Sequence, residues 1–243
     1  MLDILTKKEG FTLPELLVVM VISGMVMAAM YSSYYSQQKS YVVQEQVAAM
    51  QQNLRVAIYY MEREIRMAGC DPTRAADAGI TVANADSISF TEDITGAAGA
   101  PDADTSDPNK SITYSLSAGD LWREDVNGIG NQTIAENIDA LNFVYLDGAS
   151  PANVLDDDGN GNVTTSISQI RSVQITALAK AGREDPGYAN NITYTNRQGT
   201  LIFSVATDGI DNDGDGTTDE ADEVDGFRRK PLTITIKCRN LGL

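Results

Sequence analysis

The sequence predicts an α+β fold: one long N-terminal α-helix packed on a mainly antiparallel β-sheet head. Three observations predict it. From Leu16 to Met30 the chain carries no formal charge. From Val43 to Ala68 its apolar residues recur in steps of three or four, the spacing of one helix face. After residue 72, short segments alternate apolar and polar side chains, the period of half-buried strands. Three regions follow: a leader at 1–10, the membrane half of the helix at 11–35, and the amphipathic half plus the β-rich head at 36–243.

The first element is the apolar segment. Lys7, Lys8 and Glu9 stand before Gly10, and Phe11 follows the glycine. A cleaved secretory signal puts its processing site beyond the apolar core. Here Gly10, the obvious processing point, lies before it, so cleavage there leaves the apolar segment on the mature chain. Phe11 to Met30 has the length of about 20 residues that crosses a hydrocarbon core, with Glu15 inside it. A carboxylate in a membrane is costly and implies a partner. The other reading places Glu15 at headgroup level, where it favours the positive end of the helix.

Lys7-Lys8 followed by Gly10-Phe11-Thr12-Leu13-Pro14-Glu15-Leu16 resembles the class III leader of type IV prepilins and type II secretion pseudopilins. The resemblance implies cleavage after Gly10 by a prepilin peptidase and N-methylation of the new terminus, Phe11. It implies that Glu15 answers the terminal amine of a neighbouring subunit during assembly. The expected partners are other major and minor pilin subunits, met through the N-terminal helix. The expected location is a single pass through the inner membrane with a periplasmic head, then the pilus.

The helix continues past Tyr35. Pro14 suits a first turn, where its missing N–H costs little. Val43, Val47, Met50, Leu54, Ile58, Met61, Ile65 and Ala68 form the apolar face, and Gln, Arg and Glu cover the rest. Gly69 and Asp71-Pro72 are a stop signal. At about 1.5 Å per residue, Pro14–Ala68 would run about 80 Å as one rod. The second half is expected to bury against the chain's own sheet, and the first half to serve assembly.

Strands are expected at Ser87–Phe90, at Ser111–Leu116 with Leu121–Arg123 as a hairpin, and at Ala140–Leu146, Ile170–Ala179 and Pro231–Cys238. Weaker patterns cover Ile192–Tyr194 and Thr200–Val205. Ile134 to Ile138 reads as a turn or short helix, and 95–109 reads as a loop. Short connections and few helices point to antiparallel pairing. In chain order, Glu64–Gly69, Ile112–Tyr114, Leu121–Arg123, Ile138–Phe143, Ile170–Val173, Arg228–Lys230 and Arg239-Asn240 resemble PilW-like and type II J-like minor members of the pilin superfamily.

Composition narrows function. The net charge is −16 over 243 residues, which argues against nucleic-acid binding by a basic groove. No histidine is present, so His-dependent triads and His-ligated zinc are excluded. The two cysteines, Cys70 and Cys238, read as a disulfide in an exported chain, worth roughly 4–5 kcal/mol in the chain-entropy model. The alternative is two thiols packed as small apolar groups. A disulfide also requires the C-terminal strand to lie beside the helix end.

An acidic stretch carries the metal expectation. Nine carboxylates lie between Asp208 and Asp225 with no Lys or Arg among them. Such a block repels itself, and a divalent cation would turn it into an ordered loop. Asp211, Asp213, Asp215, Gly216, Thr217, Asp219 and Asp222 fall at positions one, three, five, six, seven, nine and twelve of a calcium loop. Thr217 would serve through its backbone carbonyl. The pattern resembles the Asp-rich calcium repeats of thrombospondin type 3. Asp208, Glu220 and Glu223 are either further ligands or neighbours. A weaker copy is Asp156, Asp158, Asn160 and Asn162 around Gly161, which is either a low-affinity Ca2+ site or an Asp/Asn/Gly turn.

The sequence holds no Gly-x-Ser-x-Gly elbow and no phosphate-cradling loop. The expected function is therefore structural: a minor pilin that initiates or caps a pilus, with a calcium-stabilised head, and not an enzyme. Its rivals are a type II secretion pseudopilin and a membrane-tethered calcium-dependent adhesin or enzyme.

Overall fold

The computed structural model describes residues 10–96, 99–212, 214, 216–220 and 223–242. The leader lysines Lys7 and Lys8 and the expected ligands Asp213, Asp215 and Asp222 lie outside the described residues. By contacts the chain divides into two units, one ending at Glu45 and one running from Gln46 to Leu243.

One helix, α1, runs from Leu13 to Ile65. Thr12 caps it. The Thr12 N–H and hydroxyl both donate to Glu15 Oε2, at 2.8 and 2.9 Å. The glutamate arm of a Thr-x-x-Glu capping box is thus present, the third helical residue reaching back to the Thr12 N–H. The large apolar side chains of α1 from Leu13 to Tyr41 are exposed, and no residue of its most apolar window is buried. That window is long and apolar enough to cross a membrane.

From Met50 onward the helix buries the expected face. Met50, Leu54, Ile58, Met61, Ile65 and Ala68 are all in the core, with Ala57 beside them, and Val47 is half-buried. The helix ends where the sequence signals it, in turns at Arg66–Gly69. Gly69 has φ +76°, a left-handed value that stops a helix at little cost only with glycine.

Among the described residues the strands form three antiparallel sheets. The first is a meander in chain order: β1 (Ile80–Ala83), β2 (Ser87–Thr91), β3 (Ser111–Ser117), β4 (Asp120–Asp125) and β5 (Gly130–Ala135). Its β3–β4 hairpin turns through Ala118 and Gly119, at φ +54° and +80°. Two positive φ values in a two-residue loop match the right-handed twist of the flanking strands. The second sheet has the order β11-β8-β6-β7, from Arg229–Lys237, Ser172–Lys180, Ile138–Leu146 and Val154–Leu155. The third pairs β9 (Tyr194–Thr195) with β10 (Leu201–Phe203). One core cluster joins α1 to the two larger sheets, with Met61, Ile65, Phe90, Tyr114, Phe143, Tyr145 and Ile175 fully buried.

Two expectations are corrected. The turn or short helix expected at Ile134–Ile138 is the end of β5, a bend and the start of β6. Pairing with β4, Leu121 opposite Ala135, holds it extended. The disulfide is not formed: Cys70 and Cys238 are both thiols. Cys238 is 4% exposed within the main core, and burial pushes its thiol up to about 12. Cys70 instead lines a surface cleft with Asp71, Arg74 and Asn240. Its pKa is raised by partial burial and by Glu92, Asp71 and Asp93. The topological expectation still holds. Asn240 Nδ2 donates to the Met67 carbonyl at 3.3 Å, so the chain after β11 lies against the helix end.

Candidate functional site

The residues singled out from the sequence fall in two regions, the start of α1 and the acidic loop. At the helix start, Glu15 and Phe11 are both exposed. Both described hydrogen bonds of Glu15 go to Oε2. A carboxylate within an apolar segment calls for a partner. The structure supplies one, Thr12, because a carboxylate three residues into a helix meets the cap.

In the acidic loop, Asp211 accepts from the backbone N–H groups of Gly214 and Gly216, at 2.7 and 3.0 Å. Asp211 thus folds the chain over itself at the first position of the expected calcium loop. Asp219 Oδ1 accepts from Gly209 N–H at 2.7 Å, closing the loop from the other side. Gly214 and Gly216, each at positive φ, sit inside this turn. Asp225, at the end of the block, is held by Arg229 at 2.6 Å. Among the described residues, no group of three or more carboxylate, thiol or imidazole side chains is arranged to hold a metal.

The weaker loop repeats the scheme. Asp156 Oδ1 accepts from Gly159 and Gly161 N–H, and Asp158 Oδ1 from Asn160 and Asn162 N–H. Asn162 Nδ2 donates to Asp158 Oδ2 at 2.7 Å, and that bond, with the Asn160 N–H, lowers the Asp158 pKa to about 2. Asn162 Oδ1 accepts from Ala85 N–H. Asp157, absent from the expected ligands, is the anchor. It accepts from Ser166 Oγ and from three successive N–H groups, Thr164 to Ser166.

Ion pairs buried in the head were not legible in the sequence. Glu64, at the end of α1, accepts from Arg123 Nε at 2.9 Å and from the Tyr114 hydroxyl at 2.6 Å. Arg123 and Tyr114 are cross-strand partners on β4 and β3. Glu92 faces this group across a cavity of about 220 Å³ lined also by Arg63, Met67 and Asn109. Burial, with the Glu64 carboxylate, raises Glu92 to about 7, against the pull of Arg123 and Arg63. Elsewhere Lys110, almost fully buried, pairs with Asp93, Asp102 and Asp107 at 2.8, 2.6 and 3.2 Å. Arg229 joins β11 to Asp139 and Asp225. Arg123 stands as a lone cation on its strand and Arg229 in the run Arg228–Lys230, but neither position names its partner.

A family profile described as the prokaryotic N-terminal methylation motif matches residues 5–31. The chain carries a prokaryotic N-terminal methylation motif. The prepilin resemblance read from Gly10 to Leu16 lies within that match, as does Glu15. Among solved structures the chain is similar to a type IV-like pilin from Thermus thermophilus, at 14% identity and a TM-score of 0.46. The match covers 79% of this chain and 98% of that one. No curated protein matches the chain.

Proposed function

We propose that this prepilin-type chain is a minor type IV pilin, a structural and non-catalytic subunit that initiates or caps a pilus. It sits in the inner membrane by its N-terminal helix until assembly, with the head outside. The observation that carries this reading is α1 itself. Its first half leaves Leu16, Leu17, Val18, Val19, Val21 and Ile22 about half exposed, while its last turns supply the core. Apolar surface on that scale needs lipid or other helices. The methylation motif over 5–31 supports the second kind of neighbour.

Glu15 is the proposed register group. Thr12 engages one carboxylate oxygen, and Oε1 faces the methylated amine of an adjacent Phe11 in a filament. Bringing opposite charges together in low dielectric favours that register over others. The PilW-like assignment is supported by where its pieces fall. Glu64, Tyr114 and Arg123 meet one another, and Asn240 closes on Met67. The head is proposed to be stabilised by Ca2+ at Asp211, Asp213, Asp215, Thr217, Asp219 and Asp222. The Asp156–Asn162 loop is the weaker candidate.

Glu15→Ala in the native host tests the assembly role. Surface pili should fall while the chain accumulates in the membrane with its head folded. Normal pilus number would refute it, and lost secretion with pili intact would assign the chain to a secretion system.

A further inference from the structure

We propose a cation site between Asp208, the Ile210 carbonyl, Asn212 and Glu223, distinct from the loop centred on Asp211. Glu223 is 1% exposed, and its Oε1 has no hydrogen-bond partner. Its Oε2 lies 3.3 Å from Asn212 Nδ2. The same nitrogen is 3.2 and 3.3 Å from the two Asp208 carboxylate oxygens and 3.2 Å from the Ile210 carbonyl. Four oxygens therefore surround one amide nitrogen, which carries two hydrogens. All four distances are at the long end for hydrogen bonds.

The charge count is as unfavourable as the hydrogen count. Two carboxylates meet here, one of them buried. The nearby arginines are engaged elsewhere, Arg228 with Asp185 and Arg229 with Asp139 and Asp225. A buried carboxylate without a counter-charge is strongly disfavoured. A cation among these oxygens removes both deficits. A half-turn of the Asn212 amide brings Oδ1 to face it, since the two ends of the group have nearly the same shape.

The donors are then two carboxylates, an amide oxygen and a backbone carbonyl, all hard oxygens. Calcium takes such oxygens at about 2.3–2.6 Å, and water completes the shell. There is no nitrogen or sulfur donor for zinc. Magnesium requires a stricter octahedron. This site does not depend on calcium at Asp211.

The test is calcium binding to the full chain in detergent micelles, by equilibrium dialysis with radioactive Ca2+, for wild type, Glu223→Gln and Asp211→Asn. The expected result is at least two equivalents, one of which weakens at least tenfold in Glu223→Gln and persists in Asp211→Asn. If the only equivalent is lost in Asp211→Asn and kept in Glu223→Gln, this site is refuted and the Asp211 loop stands. If the only equivalent behaves the opposite way, this site stands and the loop reading fails. No bound calcium refutes both. Thermal unfolding in chelator adds a sign. Glu223→Gln should melt at or above wild type, because it removes an unpaired buried charge. A lower melt would make Glu223 a structural hydrogen-bond acceptor and overturn the proposal. If Glu223→Gln does not fold, Asn212→Leu carries the same dialysis test.

Discussion

Glu92→Gln should stabilise the head at alkaline pH and leave it unchanged at acidic pH. Glu92 is buried against the end of α1, with Glu64 as its like-charged neighbour, and Oε2 has no hydrogen-bond partner. Its pKa rises from an ordinary 4.5 to about 7. The folded state therefore holds a proton that the unfolded state releases between those values. The cost is absent below pH 4.5, grows as pH rises, and is complete above about 7. At 1.36 kcal/mol per unit the full shift would be about 3 kcal/mol. The side chain borders an open cavity, and screening there reduces this to on the order of 2 kcal/mol. For a unit of this size that is a rise in Tm of about 4–8 °C at pH 8. Thermal unfolding of both proteins at pH 4, 6 and 8 measures it. Parallel melting curves across the pH range, or a lower Tm for Glu92→Gln at pH 8, would refute the reasoning.

Three further changes probe the joints of the head. Arg123→Leu leaves Glu64 with only the Tyr114 hydroxyl, and should cost about 3 kcal/mol in denaturant unfolding. Adding Glu64→Gln should recover part of that loss, because the stranded charge is gone. Met61→Ala empties a fully buried position where α1 meets the sheets and should cost about 2–5 kcal/mol. Gly69→Ala forces φ +76° on a residue with a Cβ, at about 1–2 kcal/mol. Its new methyl would meet Leu241 Cδ2 at 2.6 Å, so amide exchange at Asn240 and Leu241 should speed up; unchanged exchange there would count against the close approach.

Legibility in the sequence tracked locality. The face from Met50 to Ala68 was readable because its steps of three and four lie within one helix, and the structure buries it. The β3–β4 hairpin was readable because its turn residues sit between its strands. β5 was not, because glycines and asparagines from Asn127 to Asn131 mask a strand that pairing with β4 holds extended. Sequence showed the acidic block as unrelieved charge. It could not show that Arg229, reaching back from β11, neutralises Asp225 while Glu223 Oε1 has no hydrogen-bond partner. Nor could it show Glu64 meeting Arg123 across 59 positions. Such pairs depend on which strands become neighbours.

The order of the strands also sets an order in time. The five-stranded sheet pairs only successive strands, β1 through β5, and is complete by Ala135. Three of its four pairings close connections of two to four residues, which is entropically cheap and fast, and β2–β3 closes the longer one at 92–110. The four-stranded sheet places β8 between β6 and β11, and so waits for Lys237. A chain delivered from its N-terminus can therefore lay half of its head against the helix early. The other half remains a template lacking its edge strand, and an unpaired strand edge is where a neighbouring chain can add. Premature termination between β8 and β11 would thus produce a sticky, half-finished subunit rather than an unfolded one. Asn240, beyond β11, is also the residue that closes against the end of the first helix.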